Sequence, residues 1–139
     1  MTYLLDTSTC VALIESRPIG ARRELAAALA ANAVVTIPAI ALFELWFGVA
    51  RSAPPHRSVN EARLRQFLAG PLEVLSFEPD DARAAGQIRE ALRAAGTPIG
   101  AYDLLIAGQA LSRGLSVVTS NLREFHRVDG LDCIDWCAG

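Results

Sequence analysis

Short apolar runs alternate along the chain with longer stretches in which apolar residues recur at helical spacing. Residues 3–5, 33–37, 72–77 and 115–119 are the short runs, rich in Val, Ile and Leu, and they read as buried strands. A shorter run at 131–134 reads as an edge strand. Between them, Thr7, Ser8 and Thr9 are good caps for a helix over 10–15. Residues 19–31 carry Leu25, Ala28 and Leu29 on one helical face, and Pro38 opens a helix running to Arg51. Residues 58–69 form the next helix. In 79–95, Ala82, Ala85, Ile88, Leu92 and Ala95 stay in register until Gly96 stops them. Residues 101–113 are apolar nearly all round, which predicts a central helix. The segment SAPPHRSVN at 52–60 reads as a surface loop, too short to separate domains. Strands separated by helices of this length predict βαβ units, hence an α/β fold with a mostly parallel sheet and helices on both faces.

The chain has 139 residues, the size of one domain spanning 1–139. Its cation inventory narrows the chemistry: every one of the 13 basic residues is Arg. Without Lys there is no Walker-type phosphate loop, no Schiff base and no kinase strand lysine. A net charge of −2 does not suggest a broad nucleic-acid-binding surface, although local Arg clusters can still hold phosphates. The odd set Cys10, Cys133 and Cys137 is no disulfide framework. Cys133, Cys137 and His126 lack the partners and spacing of a zinc site, so the cysteines are expected to be reduced. Residues 25–43 carry no charge, but Asn32, Thr36 and Pro38 interrupt them, so no membrane span is expected. The start, MTYLLD, reaches an acid before any basic residue, which predicts a cytoplasmic chain without a targeting segment.

In parallel sheets, ligands bind beyond the carboxyl ends of the strands. Asp6, Thr7 and Ser8 follow the first strand, and Thr119, Ser120 and Asn121 follow the strand at 115–119. Two further acids stand inside apolar helices: Glu44 in IALFELWFG and Asp103 in GAYDLLIAG. A carboxylate in such surroundings is costly to bury unless it is paired or binds a cation. Neither has an Arg close in sequence. Three acids from separate elements, with no His or Cys beside them, suit Mg²⁺ or Mn²⁺. Each also has a plainer role. Asp6 can cap the helix that follows it, Asp103 can face a helix dipole, and Asn121 can serve as a turn residue. Glu44, in mid-helix among aromatics, is the hardest to explain otherwise.

The stretches YLLDTST (3–9), IPAIALFELWFGV (37–49), IGAYDLLIAGQAL (99–111) and VVTSNLREFHRVDGLDCIDW (117–136) together resemble the PIN-domain family, specifically the VapC-type toxins of bacterial toxin–antitoxin modules. The resemblance implies a PIN-like three-layer α/β/α sandwich with a mostly parallel central sheet. It implies a Mg²⁺- or Mn²⁺-dependent endoribonuclease that leaves a 5′-phosphate and a 3′-hydroxyl. It also implies a homodimer and a cognate antitoxin that holds the toxin in check. The family's acidic cluster carries over to Asp6, Glu44 and Asp103, and its fourth position, often Asp, falls on Asn121. Glu124, three residues on, is the nearest alternative fourth acid. In this assignment Asp6 and Asp103 hold the ion, Glu44 acts through water or as a base, and Asn121, Thr119 and Ser8 orient water or phosphate.

Haloacid-dehalogenase-like phosphatases and receiver domains also place Asp after a strand, but both rely on the Lys this chain lacks. A DNA-cleaving PIN nuclease would call for insertions and a basic excess that are absent here. The non-enzymatic alternative is a PIN-like binding module that acts with an antitoxin-like DNA-binding regulator. Phe43, Trp46 and Phe47 share a helix with Glu44 and are candidate lining for an apolar groove taking an antitoxin segment, from which an Arg would reach the acids.

Overall fold

The structure is a computed structural model and describes residues 1–138. Its strands are β1 (Thr2–Leu5), β2 (Val34–Pro38), β3 (Glu73–Leu75), β4 (Ser116–Val118) and β5 (Cys133–Ile134). They form one sheet in the order β3-β2-β1-β4-β5, parallel at every pairing. Leu4 at the centre pairs with Thr36 on one side and Val117 on the other. The apolar runs are buried because both faces of these strands are covered; Leu4, Leu5, Ile37, Val117 and Val118 are sealed from solvent. Thr36 is the polar exception in β2, and its hydroxyl donates to the Tyr3 carbonyl at 2.7 Å.

The helices are α1 (Thr7–Glu15), α2 (Ile19–Ala30), α3 (Ala39–Ala50), α4 (Pro54–Leu68), α5 (Pro79–Ala94), α6 (Ala101–Arg113) and the single turn α7 (Leu122–Phe125). Right-handed crossovers put α1 to α4, which lead outward from β1 to β3, on one face. They put α5 to α7, which return to β4 and β5, on the other, giving the expected three-layer α/β sandwich. The chain leaves β1 toward β2 but enters β4 from the far side, so the β1–β4 boundary is the topological switch point. Helices α5 and α6 touch backbone to backbone: a Cβ at Gly108 would fall 2.6 Å from that of Ala85. That contact sets how closely α6 approaches α5.

Three sequence expectations need correction. Residues 52–60 are not a loop, because α4 begins at Pro54. Proline suits a first helical turn, where a missing N–H leaves no bond unmade, so Pro54 and Pro55 mark a helix start. Thr7, Ser8 and Thr9 are the first turn of α1 and not its caps; Asp6 is the N-cap. The turn α7 has no counterpart in the sequence pattern, since four residues are too few to display a period. The uncharged stretch 25–43 is divided among α2, β2 and α3, and no helix among the described residues is long and apolar enough to cross a membrane.

Candidate active site

Asp6 ends β1 at the switch point and caps α1 at once. Its Oδ1 accepts from the Thr9 amide at 2.9 Å and from the Ser8 hydroxyl at 2.7 Å. The side chain is only 2% exposed, and among the described residues no donor reaches Oδ2. The capping role therefore does not compete with a chemical one, because it uses a single oxygen. Ser8 also accepts from the Ser120 amide at 3.2 Å, and the Thr9 hydroxyl donates to the Val118 carbonyl at 2.8 Å. The start of α1 is thereby tied to the end of β4 and the loop beyond it.

Across that loop a second group of polar side chains assembles. Asp103 lies in the first turn of α6, half-buried. The Asn121 side-chain amide donates to Asp103 Oδ2 at 3.1 Å and also to Glu124 Oε2. Glu124 Oε1 accepts from the Gly100 amide at 3.1 Å, which anchors the carboxylate to the turn preceding α6. The Asn121 amide donates to Thr119 Oγ1 at 2.8 Å. Burial, together with a hydrogen bond to Glu124 and the negative charges of Asp6 and Glu124, pushes the Asp103 carboxyl up to about 7. That hydrogen bond from Asp103, and the Gly100 and Asn121 donors, hold Glu124 below the ordinary range against its own partial burial. The two carboxyls therefore titrate as a coupled pair. Among the described residues no Arg or His forms a salt bridge with any of these acids.

Glu44, half-buried on α3, accepts from the Thr7 hydroxyl at 2.6 Å. Thr7 is the first residue of α1, so this bond links Glu44 to the element that Asp6 caps. Glu44 and Thr7 stand at one end of a cleft of about 250 Å³ between α1, α3 and α4, whose walls include Val11, Ile14, Leu45, Val49 and Leu64. The α3 aromatics do not line it. Trp46 lies under the Arg65 guanidinium, 5.0 Å from its ring centre, while Phe43 and Phe47 point to solvent. The groove-lining expectation thus moves from the aromatics to Leu45, Gly48 and Val49, because successive helical residues diverge by about 100°.

The structure brings Asp103, Asn121 and Glu124 into direct contact, sets Asp6 near enough to raise the Asp103 pKa, and holds Glu44 through Thr7. Among the described residues, no three Asp, Glu, His or Cys side chains are already arranged about one metal position. The donor set nonetheless suits a hard divalent cation. Its carboxylates and neighbouring hydroxyls are oxygen donors, it offers a buried carboxylate with a free Oδ2, and its negative charges raise the Asp103 pKa. Sequence reasoning ranks Glu124 below Asn121 and gives Thr7 only a capping role. The contact of Glu124 depends on the one-turn helix α7, and that of Thr7 on how α1 packs against α3. Neither leaves a local signal.

Comparison with known proteins agrees with this architecture. The PIN domain family matches residues 3–131. The tRNA(fMet)-specific endonuclease VapC of Salmonella typhimurium is 42% identical over 137 residues, 99% of each chain. The tRNA(fMet)-specific endonuclease VapC of Shigella flexneri is 37% identical over 136 residues, 98% of each. Among solved structures, VapBC2 from Rickettsia felis bound to a promoter DNA fragment contains a chain that superposes with a TM-score of 0.89 at 34% identity, covering 98% of this chain and 99% of that one. DNA-bound VapBC from Salmonella typhimurium gives 0.87 at 42% identity, with 99% of each chain covered. Sheet order, the polar cluster at the switch point and end-to-end similarity converge: the chain belongs to the PIN-domain family and, within it, to the VapC ribonuclease toxins of toxin–antitoxin pairs.

Proposed function

We propose that this chain is a Mg²⁺- or Mn²⁺-dependent endoribonuclease acting on tRNA(fMet), with Asp6, Glu44, Asp103 and Glu124 as its acids and Asn121 as their neutral companion. The observation that carries the reading is the placement of buried Asp6 within charge range of the Asp103–Asn121–Glu124 group at the switch point, with no salt bridge to any of these acids among the described residues. The choice of RNA rests on two relatives named for that substrate. A bound divalent ion supplies polarisation of the scissile phosphate and a lower pKa for the attacking water. The free Oδ2 of Asp6 and the Asp103 carboxylate are the groups to hold it. The Asn121 amide and the Gly100 N–H keep Asp103 and Glu124 turned toward each other. Glu44, fixed at Oε1 by Thr7, keeps Oε2 to accept a proton from water.

The same reading includes a homodimer and an antitoxin. The α1–α3–α4 cleft is lined by Glu44 and Thr7 among others, and a second cavity that shares Ile14 and Arg63 with it is lined by Arg22, Leu25 and Phe67. Its apolar walls and Arg rim suit an amphipathic antitoxin helix with acidic residues on its flank, and its open end lets a cationic residue reach the acids. The deciding experiment incubates the purified chain with tRNA(fMet) in Mg²⁺ or in EDTA, with and without the cognate antitoxin. Cleavage is expected only with the metal and without the antitoxin. Intact RNA under every condition would leave the PIN-like binding module as the better reading.

The raised Asp103 pKa predicts a pH effect on the metal-free protein. A carboxyl whose pKa is raised by folding stabilises the fold while protonated. Its contribution is complete below the unfolded value of about 4 and is lost as pH rises through the folded value. In EDTA, the urea midpoint is therefore expected to fall as pH climbs from there to about 7, the value for Asp103. Glu124, whose pKa is lowered, works in the opposite direction. A midpoint that rises over this range would mean that folding does not raise the Asp103 pKa.

A further inference from the structure

The connection from α5 to α6 sets where Asp103 stands. Helix α6 begins at Ala101, and the Leu104 amide opens its backbone ladder by donating to the Gly100 carbonyl at 2.9 Å. Gly100 also adjoins the acid itself, since a Cβ built on it would lie 4.0 Å from Asp103 Oδ2. Yet from Arg93 to Gly100 only Ile99 is even half-buried, so apolar packing does little to hold this stretch. Two side chains from the chain around α7 hold it instead. Glu124 Oε1 accepts from the Gly100 amide at 3.1 Å, and Arg127 Nη1 donates to the Pro98 carbonyl at 2.8 Å. Both leave one turn, in which the Arg127 amide donates to the Glu124 carbonyl at 3.0 Å. That turn has a rigid base, because Phe125 and Val128 are buried in the core. An anion takes an amide and a cation takes a carbonyl two residues away, so the clip fits the connection in one orientation only. The charge of Arg127 also helps to hold the Glu124 carboxyl below the ordinary range.

We propose that Arg127 is a positioning residue for the nuclease reaction: through the Pro98 carbonyl it clamps the α5–α6 connection to α7 and so sets Asp103 against Asn121 and Glu124. The inference rests on the ribonuclease reading and gives a role in it to a residue outside the acid cluster. Asp103 is held by two routes that start from the same segment. Asn121 reaches it directly, and the Pro98–Gly100 connection carries the helix on which it stands. With Arg127 removed, the second route depends on the Gly100 bond alone. Arg127 forms no salt bridge with the acids, so it orders the site without neutralising the charge a divalent ion needs. Its bond to Pro98 is exposed, where one hydrogen bond adds little to global stability. What the bond supplies is geometry. Groups that orient metal-binding carboxylates from outside the ligand set act in this way.

The test compares Arg127→Met, which keeps an unbranched stem and loses the guanidinium, with Arg127→Lys, which keeps a cationic donor. Arg127→Met is expected to lower kcat, or to raise the Mg²⁺ concentration for half-activation, by about 10- to 100-fold. KM for RNA at saturating Mg²⁺ and the urea midpoint are expected to stay near wild type. Arg127→Lys is expected to recover most of the loss. A second measurement needs no cleavage. In EDTA, amide hydrogen exchange at Gly100 is expected to quicken in Arg127→Met by about two- to tenfold, the worth of one hydrogen bond, while the Val117 amide in β4 is unaffected. This readout decides the clamp even if the wild-type chain cleaves no RNA. Unchanged exchange at Gly100 overturns the proposal. So does a loss confined to KM that deepens steeply with salt, which would make Arg127 a contact for an RNA phosphate. A urea midpoint that collapses in Arg127→Met overturns it as well, by making the residue a general support of the fold.

Discussion

Asp6→Asn and Asp103→Asn are each expected to reduce metal-dependent RNA cleavage by at least about 100-fold, the scale of removing one preorganised electrostatic group from a reaction centre. The two substitutions separate charge from structure. Asn caps a helix as well as Asp does, so the amide oxygen introduced at position 6 can still accept from Thr9 while the anionic Oδ2 is gone. At position 103 the neutral amide preserves shape and relieves repulsion from Glu124, so stability is expected to hold or rise. Cleavage rates at saturating Mg²⁺, read beside urea midpoints, check both points. A variant that keeps its midpoint and cleaves at the wild-type rate would place that acid outside the reaction.

Arg113→Ala is expected to cost about 3–5 kcal/mol of stability, the usual consequence of stranding a buried charge. The charge is Asp81, 1% exposed in the first turn of α5. Its Oδ2 accepts from Arg113 Nη2 at 2.7 Å and from the Glu78 amide at 2.8 Å. Its Oδ1 accepts from the Ser112 hydroxyl at 2.7 Å and from Arg113 Nε at 3.2 Å. Arg113 Nη2 and Gln109 Nε2 both donate to the Ser76 carbonyl as well, so one network pins the end of α6 to the β3–α5 connection. Burial alone would raise the Asp81 pKa, but these donors together outweigh it and hold the carboxyl below the ordinary range. Its contribution is therefore complete above about pH 4 and lost as pH falls through the lowered folded value. The double variant Asp81→Leu/Arg113→Met is expected to lose less than the two single changes combined, because no buried charge is left unpaired. Chemical denaturation at neutral pH measures all three. A midpoint for Arg113→Ala equal to wild type would mean that Asp81 finds solvent on its own. Because Arg113 ends the helix that Asp103 begins, weakening this network is also expected to loosen the site.

Much of the molecule was legible from local pattern. Runs such as 33–37 and 115–119 became parallel strands because apolar, β-branched residues flanked by helices have nowhere to go but a doubly covered sheet. Glu44 and Asp103 drew notice because a carboxylate among apolar neighbours must have a partner or a ligand, and Asp6 because it follows the carboxyl end of the first strand. The reading failed where a short motif meant the opposite of its usual sense. Pro54 and Pro55 looked like loop residues and are a helix start.

By itself the sequence determined the element order, the parallel sheet, the absence of any lysine-dependent chemistry and the acids most in need of a cation. Only the tertiary structure decided how those acids relate. Periodicity reports which face of an element is buried and is silent on what another element brings against it. So the Asn121 bonds to Asp103 and Glu124, the Thr7 bond to Glu44, and the edge-to-face meeting of Phe43 and Tyr102 emerge only when α1, α3, α6 and α7 meet at the end of the sheet. Those relations depend on side-chain distances across the fold, which are fixed by packing and not by any spacing along the chain.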